Sequence, residues 1–187
     1  MKSIQRTFLS LTTLVLSSCA TPDENAQAGA PAPVTQSSKE QAAIARIESL
    51  DGRVLYIAKD AKEYSVTIIK DTFGKTEGFT VADAKLLGEL DNAVEISLQH
   101  PDADDAWVAP LKGLNALKKL HLEKTKITDQ ALDSIGGLSS LEYLNLYGTG
   151  VTDAGLDKLK NLKHLQSLYL WQTKVTEAKA KAFQEAM

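Results

Sequence analysis

The stretch Leu138 to Asn161, LSSLEYLNLYGTGVTDAGLDKLKN, decides how this chain folds, because its leucines recur before and after it at a fixed interval. Placing Leu114, Leu138 and Leu162 in one column puts Leu117, Leu141 and Leu165 in a second, Leu120, Leu144 and Leu168 in a third, and Leu122, Leu146 and Leu170 in a fourth. The period is 24 residues. Later columns hold Thr125, Thr149 and Thr173, then Ile127, Val151 and Val175, then Thr128, Thr152 and Thr176, then Asp129, Asp153 and Glu177. Leu132 and Leu156, followed by Ile135, Leu159 and Phe183, complete the unit.

Each column has a physical meaning. Leu120-His121-Leu122 alternates apolar and polar, which predicts a short strand with both leucines turned inward and His121 outward. Thr128 or Asp129 offers a side-chain oxygen to cap a helix, and the acid suits that helix's positive end. Leu132 and Ile135, three apart, form the helix's buried stripe. Gly113, Gly137 and Asn161 share the column that leads back to the next strand, and each is expected in the left-handed conformation. One unit cannot bury its leucines alone, so stacked units must share a core.

The pattern L-x-x-L-x-x-L-x-L-x-x-T-x-[IV]-T-[DE]-x-x-L-x-x-[ILF] resembles the leucine-rich repeat, whose period is roughly 20 to 29 residues. Leu138 to Asn161 carries most faithfully the bacterial form that continues T-D-x-G-L. The resemblance covers Leu114 to Phe183 and implies an α/β solenoid, with short parallel strands lining a concave face and helices on the convex face. A degenerate copy starts at Leu90, with Ile96 and Leu98 as its strand pair, Asp104-Asp105 at its cap, and Val108 and Leu111 in its helix. Pro101 stands there in the threonine column. Lacking a backbone donor, it would interrupt any threonine ladder, which leaves this copy's register open. The last copy has Ala180 in place of leucine and a finishing helix, Glu177 to Ala186, which reads as a terminal cap. Residues 90–187 are therefore expected to be repeats with a capping helix.

Residues 39–89 read as an N-terminal cap of the solenoid. Ala43, Ile44, Ile47 and Leu50 form one helical face that Gly52 stops. Val54 to Ile57 and Tyr64-Val66-Ile68 suggest a hairpin across Lys59 to Glu63, and Ala82 to Leu90 a second helix. About 50 residues make a thin core for an independent domain.

Residues 1–18 have the order of a signal peptide: Lys2 and Arg6, the apolar run Phe8 to Leu16, then Ser17 and Ser18. The run is less than half of the roughly 20 residues that a membrane span requires. Leu16-Ser17-Ser18-Cys19 resembles the lipobox of bacterial lipoproteins, which implies a mature chain beginning at Cys19 with diacylglycerol on its thiol. The membrane would then be reached through that lipid alone. In Gram-negative lipoproteins an Asp after the cysteine commonly signals inner-membrane retention, so Ala20 favours the outer membrane where there is one. The expected location is the bacterial cell envelope. Residues 19–38 include TPDENAQAGAPAPVTQSS, too poor in large apolar side chains to bury a core, and read as a disordered tether spanning about 25 Å.

Composition narrows the function. The 187 residues are 43% hydrophobic and 24% charged, enough for a packed core. Removing residues 1–18 takes away two basic residues and no acid, so the net charge moves from −3 to −5 and offers no footprint for nucleic acid. One cysteine excludes an intramolecular disulfide, a Cys₄ zinc site and an iron–sulfur cluster. His100, His121 and His164 lack the H-E-x-x-H spacing, and neither G-x-S-x-G nor a Walker loop occurs. Asp102, Asp104 and Asp105 with His100 lack the glycine and final Glu of a calcium loop. His121 beside Glu123 has neither a nucleophile nor an oxyanion donor to work with. No catalytic residue, metal or cofactor is expected.

The outward strand rows are what remains informative: Glu95, Ser97, Gln99; Lys119, His121, Glu123; Tyr143, Asn145, Tyr147; Ser167, Tyr169, Trp171. The last two rows carry four aromatics, and Tyr and Trp are enriched in binding hot spots. Cross-strand stabilisation and a homodimer contact would also account for them. The candidate ligand-binding residues are His121, Glu123, Tyr143, Asn145, Tyr147, Tyr169 and Trp171, and the expected partner is another protein or peptide, or a cell-wall glycan. The alternative is a structural spacer or envelope-organising lipoprotein without a defined ligand.

Overall fold

The computed structural model describes residues 37–57, 62–69 and 79–187. The expected signal peptide, Cys19 and the stretch read as tether before Ser37 lie outside the described residues, as do residues 58–61 of the hairpin. Val34–Met187 is a compact unit that contains every buried residue described, so this segment carries its own core.

Among the described residues six strands form one sheet: β1 (Arg53–Tyr56), β2 (Tyr64–Ile69), β3 (Ala93–Gln99), β4 (Lys119–His121), β5 (Tyr143–Asn145) and β6 (Ser167–Tyr169), side by side in chain order. β1 is antiparallel to β2, and every later pair is parallel. The helices are α1 (Ser38–Ser49), α2 (Val81–Ala84), α3 (Asp105–Val108), α4 (Ala131–Ile135), α5 (Asp153–Leu156) and α6 (Glu177–Ala186). α2, α3 and α5 run on into 3₁₀ turns, so the expected helix over residues 82–90 is one α turn followed by 3₁₀ structure over Lys85–Glu89. With one helical segment between successive parallel strands and the leucine columns buried between them, the fold is a leucine-rich-repeat solenoid.

The register moves by one period per strand: Ile96 pairs with Leu120, Leu120 with Leu144, and Leu144 with Leu168. This settles the register of the degenerate copy despite Pro101. Among the described residues no threonine ladder runs between repeats for the proline to break. The hydroxyls of Thr125, Thr149 and Thr173 donate instead to carbonyls within their own turns, those of Leu122, Leu146 and Leu170, at 2.7, 2.7 and 2.6 Å. The backbone link between repeats comes one residue later, where Lys126, Gly150 and Lys174 donate to the carbonyls of Ala103, Ile127 and Val151 at 2.8, 2.9 and 2.9 Å.

Threonine and aspartate, treated as interchangeable caps in the sequence, have separate roles. The hydroxyls of Thr152 and Thr176 accept from Ala154 and Lys179 N–H and cap α5 and α6. The aspartates reach across to the next repeat. Asp129 accepts both the N–H and the hydroxyl of Thr152, at 2.8 and 2.6 Å. Asp105 does the same for Thr128 and Asp153 for Thr176. Each acid thus staples the start of the next helical segment. The glycine of T-D-x-G-L makes room for the staple, since a Cβ on Gly155 would collide with Asp129 Oδ1.

The left-handed column also differs from expectation. Gly113 is left-handed at φ 102°, but Gly137 and Asn161 are not. The recurring left-handed position lies just after the outward row, at Lys124 (φ 58°), Gly148 (φ 70°) and Gln172 (φ 58°), where the chain turns sharply off the sheet.

At the start, Ser37 accepts from Glu40 N–H, so α1 begins within the stretch read as tether. It ends with Asp51 left-handed at φ 61°, while Gly52 N–H bonds Ile47 O at 3.0 Å. Gly52 is needed there for closeness, because a Cβ would lie 2.9 Å from that carbonyl. Ala43, Ile44 and Ile47 face the core as expected, and Glu40 is wholly buried beside them. Its carboxylate accepts from Tyr64 OH at 2.6 Å and from Asn92 N–H and Nδ2 at 3.0 and 2.9 Å, which ties α1 to β2 and to the turn before β3. Burial and this carboxylate push the Tyr64 phenol above its ordinary range.

Candidate binding face of the sheet

Because residues alternate along a strand and the leucines are buried on one face, the residues between them share the opposite face of the sheet. Ser97, His121, Asn145 and Tyr169 share one row of it by register, and Glu95, Lys119, Tyr143 and Ser167 another. Glu123, Tyr147 and Trp171 continue the period just beyond the strand ends. All seven candidate residues named above fall on this face.

Exposure rises toward β6. Ser97, expected outward, is buried. His121, Glu123, Tyr143, Asn145 and Tyr147 are half-buried. Tyr169 is 49% exposed and Trp171 75%. The four aromatics are unequally exposed, with Tyr143 and Tyr147 half-buried and Tyr169 and Trp171 exposed. The reason is strand spacing: rows about 4.8 Å apart bring neighbouring rings into contact. His121 and Tyr143 centroids are 4.8 Å apart, and those of Tyr143 and Tyr169 5.2 Å. Tyr147 and Trp171 stack at 5.8 Å with 26° between planes. Lys124 Nζ sits 5.8 Å from the Tyr147 centroid, a cation–π contact that the sequence reading missed. Its left-handed backbone was the unseen signal.

Polar groups border the rings. Glu123 Oε1 accepts from Asn145 Nδ2 at 2.7 Å and lies 3.1 Å from His121 Nδ1. His121 Nε2 is 3.5 Å from Glu95 Oε1, and Glu95 is paired with Lys119 at 3.8 Å. Asn145 Oδ1 accepts Tyr147 N–H at 3.1 Å, which fixes the amide. Burial pushes the Tyr143 phenol up, against the lowering effect of its hydrogen bond with Asn145. Among the described residues Glu123 Oε2 is buried from solvent and has no hydrogen-bond partner, while Oε1 of the same carboxylate takes the contacts to Asn145 and His121. Such a surface can seat a flat or apolar group against Trp171 and orient it by a nearby donor. Among the described residues no group of three or more His, Cys, Asp or Glu is placed to hold a metal ion.

No protein-family model and no curated protein matches this chain. Among solved structures it is similar to a leucine-rich-repeat protein of Leptospira interrogans, at 21% identity and a TM-score of 0.38 over 55% of this chain and 31% of that one. It is also similar to the C-terminal domain of tropomodulin from Caenorhabditis elegans, at 14% identity and a TM-score of 0.47 over 79% and 90%. The chain spans about a third of the length of the Leptospira chain it matches. The fold, a leucine-rich-repeat solenoid, rests on the parallel register and the buried leucine columns of the chain itself.

Proposed function

We propose that this chain is a non-catalytic binding module that holds another protein or peptide on the open face of its sheet, at the β5 and β6 end. A lipid on Cys19 would anchor it to the bacterial envelope, the outer membrane in a Gram-negative cell. The observation that carries the binding reading is Trp171, 75% exposed yet held in place by stacking on Tyr147. A rigid, solvent-facing aromatic costs little entropy to immobilise further, and its exposure otherwise favours aggregation. The anchor is supported by the resemblance of Leu16 to Cys19 to a lipobox.

The test is a crosslinking pull-down from envelope extracts with residues 34–187. One partner should be recovered, and Trp171→Ala with Tyr147→Ala should lose it while circular dichroism and Tm stay nearly unchanged. Recovery at unchanged affinity would move the site off these rings. No partner for the unmodified chain, or a glycan alone, would favour the spacer or glycan readings. For the anchor, mass spectrometry of the mature N-terminus should find diacylglycerol on Cys19, and Cys19→Ser should leave an uncleaved precursor.

A further inference from the structure

Each repeat receives its successor through three features: the free edge of its strand, the exposed half of its leucine columns, and the acid of its staple. The last repeat presents all three, and among the described residues nothing takes them. β6 pairs with β5 alone. Leu165, Leu168 and Leu170 are half-buried where Leu141, Leu144 and Leu146 are fully buried. Glu177 stands in the aspartate column beyond Asp153. α6 closes part of this end, with Phe183 reaching the core, and leaves a groove of about 470 Å³ between itself and β6, with Met187 on its lining.

We propose that this end is a self-association surface: two copies of the chain join end to end about a two-fold axis, β6 antiparallel to its mate, each groove covered by the other copy's rim. A two-fold contact sets a surface against itself, so that surface must be self-complementary. This one is. An edge strand meets its own antiparallel image with N–H facing C=O. The groove lining carries one acid, Glu177, and one base, Lys181, both exposed, and Lys181 Nζ also lies 4.0 Å from Glu185 Oε1 one turn along α6. Acid can therefore face base across the axis. The groove lining itself carries no net charge in a chain that is acidic overall at −3, so like-charge repulsion opposes the contact less there than the overall charge would suggest. The proposal does not rest on the ligand-binding reading, since it is tested with no ligand present.

Residues 34–187 contain no cysteine, which makes site-directed crosslinking clean. Light scattering at tens of micromolar protein should give a dimer. A single Gln184→Cys on the groove rim should crosslink on oxidation, and Arg53→Cys at the β1 end should not. Lys181→Glu sets like charges together and should weaken the dimer about tenfold, which corresponds to about 1.4 kcal/mol. Adding Glu177→Lys to it restores the opposite pair and should recover the dimer, a rescue that a folding defect would not show. A monomer throughout, a crosslink at residue 53 in place of 184, or a dimer indifferent to the charge exchange would each overturn the proposal.

Discussion

Leu144 and Leu168 occupy the same column of the repeat on neighbouring strands, yet the first is sealed from solvent and the second is half-exposed. Their local sequences, strand geometry and inward direction agree. The difference is what lies on the far side: Leu144 has β6 and the last repeat stacked over it, while Leu168 has only α6 and a groove. In a solenoid, then, the period determines which way a side chain points, and the neighbour determines how much that direction is worth.

The largest test of this contrast is Leu144→Ala, which should cost about 2 to 5 kcal/mol in denaturant unfolding through lost transfer energy and a cavity. Leu168→Ala should cost about half as much, and Tyr143→Ala, on the open face, less than Leu144→Ala. Equal losses at the two leucines would mean that the last repeat is as well covered as the central one.

The staples sharpen the same comparison. Asp129→Ala strands the N–H and hydroxyl of Thr152 at a partly buried junction and should cost about 1.5 to 3 kcal/mol. Asp153→Ala frees the exposed Thr176, where water can substitute, and should cost clearly less in the same assay. A smaller effect is expected in the left-handed column. Gly148→Ala should lose about 1 kcal/mol and Gln172→Gly gain up to about as much, because only glycine takes that backbone without strain.

The smallest effect concerns acid. Asp157 is held down to about 2 from the ordinary 3.8 by hydrogen bonds from Lys160 and from Lys179, the latter on α6. A carboxyl depressed in the folded state lends stability above its unfolded value and loses it as pH falls from about 4 to about 2. Thermal melts across that window should show α6 loosening ahead of the central repeats. Asp157→Asn should remove the part of the pH dependence that belongs to this contact.

Among the parts that sequence alone determined are the period, the strand positions at residues 120, 144 and 168, the inward leucines and the hairpin ahead of the repeats. These follow from alternation and spacing along a few residues, where local geometry dictates direction. The open-face placement of His121, Glu123, Tyr143, Asn145, Tyr147, Tyr169 and Trp171 came with them. The start of α1 was missed, because Ser37 and Ser38 were read as the end of the tether although Ser37 caps the helix.

Tertiary structure alone decided the rest. Asp129 looks like a helix cap until Thr152, 23 residues away, arrives beside it. Lys124 and Gln172 are left-handed although neither residue type announces it, because stacking forces the same turn on every repeat. Glu40, on which the sequence reading placed no role, is buried against Tyr64 and Asn92. Two of the four aromatics on the open face are covered by their neighbours, and two are not. In each case the deciding partner sits on another strand or helix, at a distance that no local pattern encodes and only the packed neighbour supplies.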